Sequence, residues 1–225
     1  MPTRFVGGVT QNKTGALRNL PVLSPTNVHI YFNDFDTYAA GDWTVTETSA
    51  SGTQALSDTD GGALVLTNAA NDDFLNAMQL VKTTFLGATG KKMWGVGRLK
   101  VSDATQSDVI FGLQLRDTSP LATDAGIWLY KADGAATWTA NVSHGGTATT
   151  ASSLGALSDG VFTELGFYYN GKDEVEFWID GAKVATLAAT NFPVGDALCP
   201  SFAVQNGAAA AKVLTVDYVM FAKER

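Results

Sequence analysis

Cysteine is almost absent from this chain. Cys199 is the one cysteine in 225 residues, so no intrachain disulfide can form and a disulfide-stapled scaffold is excluded. The expected role of Cys199 is that of a small buried apolar residue. Charge is also scarce: 16 % of residues are Asp, Glu, Lys or Arg, against 45 % hydrophobic. That balance is globular and opposes disorder. Cations are the scarcer sign, and the net charge of −7 disfavours a nucleic-acid-binding surface. No apolar run reaches the ~20 residues a membrane helix needs, so no membrane partner is expected. The opening MPTRFVGGVT lacks the apolar segment of a signal peptide, and the expectation is synthesis and use without Sec-type export.

Catalytic and cofactor signatures are equally thin. No Gly-x-Ser-x-Gly elbow occurs, and Cys199 has no readable His partner, so nucleophilic catalysis has no support. The glycines of GVGRLK, residues 95–100, stand within a strand pattern with no helix following; they form no phosphate loop. His29 and His144 lie far apart, without zinc-ligand spacing. Asp58 and Asp60 in SDTDGG are the calcium candidates by spacing, but the full calcium-loop pattern is missing. No cofactor is implied.

Three of the six prolines, Pro2, Pro21 and Pro25, fall in residues 1–27, which also hold Arg4, Lys13 and Arg18 and no acid. That segment carries +3, and the remainder carries −10. Neither a period of 2 nor one of 3.6 persists in it, and an extended N-terminal arm is predicted over 1–27, ahead of one domain over 28–225. From Val28 onward the pattern is β. Thirteen short runs rich in Val, Thr, Trp, Tyr and Phe alternate with turn residues such as Asp133-Gly134, Gly145-Gly146, Asn170-Gly171 and Asp180-Gly181. No long amphipathic helix appears. The expected fold is all-β, with two antiparallel sheets packed face to face. In VIFGLQLRD, Val109, Phe111, Leu113 and Leu115 should face one way, and Ile110, Gly112, Gln114 and Arg116 the other.

The stretch GKDEVEFWIDGAKVATL, residues 171–187, concentrates carboxylates. On a strand, Glu174, Glu176, Trp178 and Asp180 share one face and Val175, Phe177 and Ile179 the other. Asn170-Gly171 opens this strand and Asp180-Gly181 closes it, so Asp180 reads as a turn residue and Glu174 as a strand end. The expectation is a solvated hairpin and no enzyme. Aromatic side chains give the alternative: Trp128, Tyr130, Trp138 and Trp178 are candidate platforms for sugar rings or a protein neighbour.

The hairpin VEFWIDGAKVATL resembles the strand, Asp-Gly, strand unit of laminin-G-like and other concanavalin A-like sandwiches. The closing LTVDYVMFA resembles the last strand of those folds, which returns beside the first. The resemblance implies a jelly-roll sandwich, and it makes Asp217 a further calcium candidate, since such folds sometimes hold a structural calcium with an Asp on the last strand. Clan 16-type glycoside hydrolases share it, but their alternating Glu, Asp, Glu strand would need an acid where Trp178 stands. A second resemblance runs through MPTRF…GGVT, VHIYFNDFDTYAAGDWTVT, KVSDATQSDVIFGLQL and AVQNGAAAAKVLTVDYVMFAKER. These are similar to structural, decoration or cement proteins of tailed-bacteriophage heads. That implies a homotrimer or dimer made in the host cytoplasm and bound to the major capsid protein on the outer head surface. Arg4, Phe5, Lys13, Leu17 and Arg18 would be its arm contacts. The rival expectation is a lectin-like virion module that binds surface glycans.

Overall fold

The structure is a computed structural model that describes residues 27–49 and 51–225. Two antiparallel sheets of eight strands account for almost all of it. The first sheet holds β1 (Val28–Asn33), β3 (Thr53–Ser57), β4 (Ala63–Thr67), β7 (Met93–Val101), β12 (Thr163–Tyr169), β13 (Glu174–Ile179), β14 (Ala182–Ala188) and β16 (Val213–Glu224). Its spatial order is β14-β13-β12-β7-β16-β4-β3, with β1 also on β16. The second sheet holds β2 (Trp43–Glu47), β5 (Leu75–Leu80), β6 (Phe85–Leu86), β8 (Ser107–Leu115), β9 (Gly126–Lys131), β10 (Thr137–His144), β11 (Thr147–Ala156) and β15 (Ala197–Asn206). Its order is β11-β10-β9-β8-β15-β5-β2, with β6 also on β15. This is the expected two-sheet sandwich, and β16 does return beside β1.

Both turns that bracket β13 follow their chemistry. Asp180 and Gly181 take φ of 49° and 75°, the left-handed pair that a two-residue Asp-Gly hairpin requires. The Asp180 carboxylate also accepts the Glu164 N–H at 2.8 Å. Asn170 Oδ1 accepts the backbone N–H groups of Lys172 and Asp173 at 2.8 and 3.0 Å. Between these turns Val175, Phe177 and Ile179 enter the core, as alternation demands.

The core lies between the sheets and is dominated by aromatic rings. Phe111 of β8 stacks on Phe221 of β16 with centroids 5.5 Å apart, and Phe85 and Phe167 also pack on Phe221. The two glycines of β7 make room for those rings. A Cβ added to Gly95 would stand 2.3 Å from Phe167 Cε1, and one added to Gly97 would stand 2.4 Å from Phe111 Cε2.

Three strands exceed the sequence reading: β3, β6 and β11. In β11 the residues are TATTASSLGA, too small and polar to give an apolar period. It is an edge strand paired on one side to β10, and most of it is exposed, so it needs few apolar residues. The alternation predicted for β8 also needs an addition. Val109, Phe111 and Leu113 face the main core, but Ile110 on the opposite face is fully buried too. It joins Ala77, Trp128 and Ala203 in a second apolar cluster, with Leu75, Leu121 and Tyr130 against it.

Candidate functional site

The outer face of the first sheet brings together side chains from four strands. Alternation sends Trp94, Val96 and Arg98 of β7 outward, because Met93, Leu99 and Val101 occupy the core. The same rule sends out Glu164, Gly166 and Tyr168 of β12, and Glu174, Glu176 and Trp178 of β13. Register then sets them side by side. Trp178 lies opposite Gly166, Gly166 opposite Val96, Val96 opposite Met220, and Met220 opposite Phe32. One pleat away, Glu176 lies opposite Tyr168 and Tyr168 opposite Trp94.

The result is a cleft of about 400 Å³ lined by Trp94, Tyr168, Trp178, Glu164, Glu176 and Met220, with Gly166 in its floor. Trp94 and Tyr168 stack at 5.7 Å with ring planes 26° apart. Trp178 is 36 % exposed. Since Gly166 has no side chain, nothing fills the space beside Trp178. The two lining carboxylates are anchored differently. Glu176 Oε1 accepts from Lys183 Nζ at 3.0 Å. Glu164 Oε2 accepts from the Tyr218 hydroxyl at 2.6 Å; burial, then this carboxylate, raises the Tyr218 pKa above the ordinary phenol value.

Carboxylate spacing bears on chemistry. Glu164 stands four residues along β12 from Tyr168, the residue opposite Glu176, which is roughly 13 Å of strand. Glycosidase pairs stand about 5 to 9.5 Å apart. Glu174 and Glu176, two residues apart on β13, are separated by roughly 6.5–7 Å of strand, within that range.

The remaining sequence candidates lie elsewhere. Trp138 is fully buried in the core, its indole N–H without a partner, and cannot serve as a surface platform. Trp128 is 7 % exposed and belongs to the second apolar cluster; alternation put it on the outer face of its sheet, but that face is packed. Tyr130 is half-buried beside it, and its hydroxyl donates to Asp108. Of the four proposed aromatic platforms, only Trp178 is at the cleft. Trp94 and Tyr168 were missed: alternation shows their facing, but the register that stacks them is a cross-strand property. Asp217 is taken by an ion pair with Arg98, and Asp58 and Asp60 are exposed in the β3–β4 turn. Among the described residues no three His, Cys, Asp or Glu side chains are grouped to hold a metal ion. The arm residues Arg4, Phe5, Lys13, Leu17 and Arg18 lie outside the described residues.

No protein-family model matches the chain, and no curated protein matches it in sequence. Solved structures match it in fold. The endo-1,3-beta-glucanase from Streptomyces sioyaensis superposes with a TM-score of 0.65 at 13 % identity, over 90 % of this chain and 99 % of the glucanase. The endo-beta-1,4-glucuronan lyase from the fungus Trichoderma reesei gives 0.60 at 15 % identity, over 85 % and 94 %. The carbohydrate recognition domain of Emp47p gives 0.61 at 14 % identity, over 89 % and 98 %. None of these three is a virion protein. Two are enzymes built on this sandwich, so the expectation that the chain is no enzyme is overturned: an acid missing at Trp178 rules out one catalytic pattern, not the others this scaffold carries. What the chain shares with all three is the concanavalin A-like jelly-roll sandwich.

Proposed function

We propose that the chain binds carbohydrate in the cleft between Trp94, Tyr168 and Trp178. The observation that carries this reading is the stacked Trp94–Tyr168 pair beside the exposed Trp178, above a floor left open at Gly166. Aromatic faces present flat apolar surface to the C–H faces of sugar rings, while Glu164 and Glu176 offer acceptors to hydroxyls at the rim. The row from Trp178 to Phe32 crosses five strands, roughly 19 Å at the usual strand spacing. That is the length of a short oligosaccharide. The carbohydrate-acting and carbohydrate-recognising neighbours support the same reading.

The test is a glycan array followed by titration of the selected oligosaccharide against tryptophan fluorescence. Binding should be lost in Trp178→Ala and Trp94→Ala with no change of fold. If both variants bind normally, the cleft is not the site. Product analysis of the same incubations tests turnover. Shortened or unsaturated oligosaccharides that disappear in Glu176→Gln would make the cleft catalytic; intact oligosaccharides would leave it a binding site. A capsid-decorating role on the virion surface rests on the arm, and nothing on the sandwich favours it over the cleft.

A further inference from the structure

The charge around the cleft is one-sided. Its lining contains two carboxylates, Glu164 and Glu176, and no cation. Glu176 has a counter-ion in Lys183. Glu164 has none: its partner is the neutral Tyr218 hydroxyl. Arg98 sits opposite Glu164 in register, but its guanidinium is paired with Asp217 and lies 4.2 Å from the centroid of the Phe162 ring. Arg98 and Asp217 therefore cancel, and Lys183 and Glu176 cancel, which leaves Glu164 as the carboxylate of the lining without an ion-pair partner; Lys100, another cation on this face, lies outside the lining with its ammonium 4.5 Å from the centroid of the Phe162 ring. Glu174 and Asp180, exposed at the two ends of β13, add negative potential at the rim.

Building on the carbohydrate reading above, we propose that this cleft selects amino-sugar chains, which carry an ammonium group, over uronate chains. An ammonium on a sugar seated against Trp178 gains the Glu164 carboxylate as a partner and can also lie over the Trp94 or Trp178 ring face. A uronate carboxylate in the same seat meets Glu164 with no cation in the cleft lining to offset the repulsion. The neutral chain falls between them. Partly exposed ion pairs are modest, so the expected steps are roughly two- to fivefold in affinity.

The experiment uses three β-1,4-linked tetramers with a common backbone, built of glucosamine, glucose and glucuronate. Each is titrated against the intrinsic tryptophan fluorescence of the unmodified protein, at low salt and at about 0.5 M salt, where the screening length drops to a few ångströms. Expected is the affinity order glucosamine, glucose, glucuronate at low salt, with the spread collapsing at high salt. In Glu164→Gln, which keeps an acceptor for Tyr218, the affinity ratio of glucosamine to glucose should fall to about one. Glucuronate binding as tightly as glucose at low salt overturns the charge selection and leaves the carbohydrate reading intact. If no tetramer binds, the amino-sugar selection fails for these chains, and the glycan array above decides the carbohydrate reading separately. The salt series needs no variant, so a misfolded Glu164→Gln protein would not spare the proposal.

Discussion

Glycines on neighbouring strands of the first sheet should respond to the same substitution with opposite signs. Gly97 of β7 points into the core. A Cβ there would stand 2.4 and 2.7 Å from Phe111 Cε2 and Cζ and 3.1 Å from the Tyr218 carbonyl oxygen. Phe111 is buried and stacked on Phe221, so it has little room to withdraw. Overpacking of this kind costs about 1–3 kcal/mol, offset by about 0.5–1 kcal/mol from the reduced freedom of the unfolded chain. Gly97→Ala should therefore lose up to about 2.5 kcal/mol, which for a domain of this size lowers Tm by up to ~10 °C. Gly166 of β12 points to the cleft. Its added Cβ would meet the Gly95 carbonyl oxygen at 3.4 Å and Trp178 Cβ at 3.7 Å, ordinary contacts. Gly166→Ala should raise Tm by ~1–4 °C. Gly166→Leu should stay folded yet lose carbohydrate binding, because its side chain fills the floor. Thermal melts by circular dichroism and the fluorescence titration read all three. If Gly166→Ala melts lower than Gly97→Ala, the assignment of faces in this sheet is wrong.

Other outcomes follow from the ends and interior of the sandwich. Lys212 Nζ donates to Asp103 at 2.6 Å, and with the Gln106 and Thr105 N–H groups it holds the Asp103 carboxyl below the usual carboxylate range. A carboxyl whose pKa is lower when folded stabilises the fold fully above about pH 4 and loses that contribution as pH falls through the folded value. Asp103→Asn leaves the 5 % exposed Lys212 without its counter-ion; it should cost about 1–3 kcal/mol at neutral pH and flatten the acid limb of urea midpoints measured from pH 7 down to 2. Burial pushes the Cys199 thiol up to about 11, so at pH 8 it should react with a disulfide reagent only after denaturant is added. Rapid labelling of the folded protein would show that β15 opens at that point.

Much of the sandwich is readable one strand at a time. Period-2 alternation is local, so the inward Val175, Phe177 and Ile179, the outward Glu176 and Trp178, and the Asp180-Gly181 turn all follow from seven consecutive residues. The site was only partly readable. Trp94 and Tyr168 are 74 residues apart in sequence, and only the β7–β12 register stacks them. Trp128 and Trp138 failed as platforms for a related reason. In β9, alternation separates two faces but does not say that both are packed, and in β10 it does not say which face is the core. Lys131 is the sharpest case: a lysine near the end of β9 invites a solvent-facing reading, yet it is fully buried and donates to the carbonyl groups of Ser107 and Thr105. Its seat is made by Thr105 in the β7–β8 loop and by Ser107 at the start of β8, which no pattern within β9 describes.

Strand β16 pairs along one side with β7, and along the other with β4 over Val213–Val216 and then with β1 over Val219–Glu224. It therefore joins segments separated by almost the whole described chain. During synthesis, β8 to β11 can assemble as a meander as soon as they emerge, whereas β1 must wait some 190 residues for the strand it adjoins. Loop closure over that span is slow compared with hairpin formation. The β8–β11 part of the second sheet is thus the natural first unit to fold, since β15, which joins it to β5, comes only at Ala197–Asn206, and an unfinished chain carries β1 as an open edge that any complementary strand could capture.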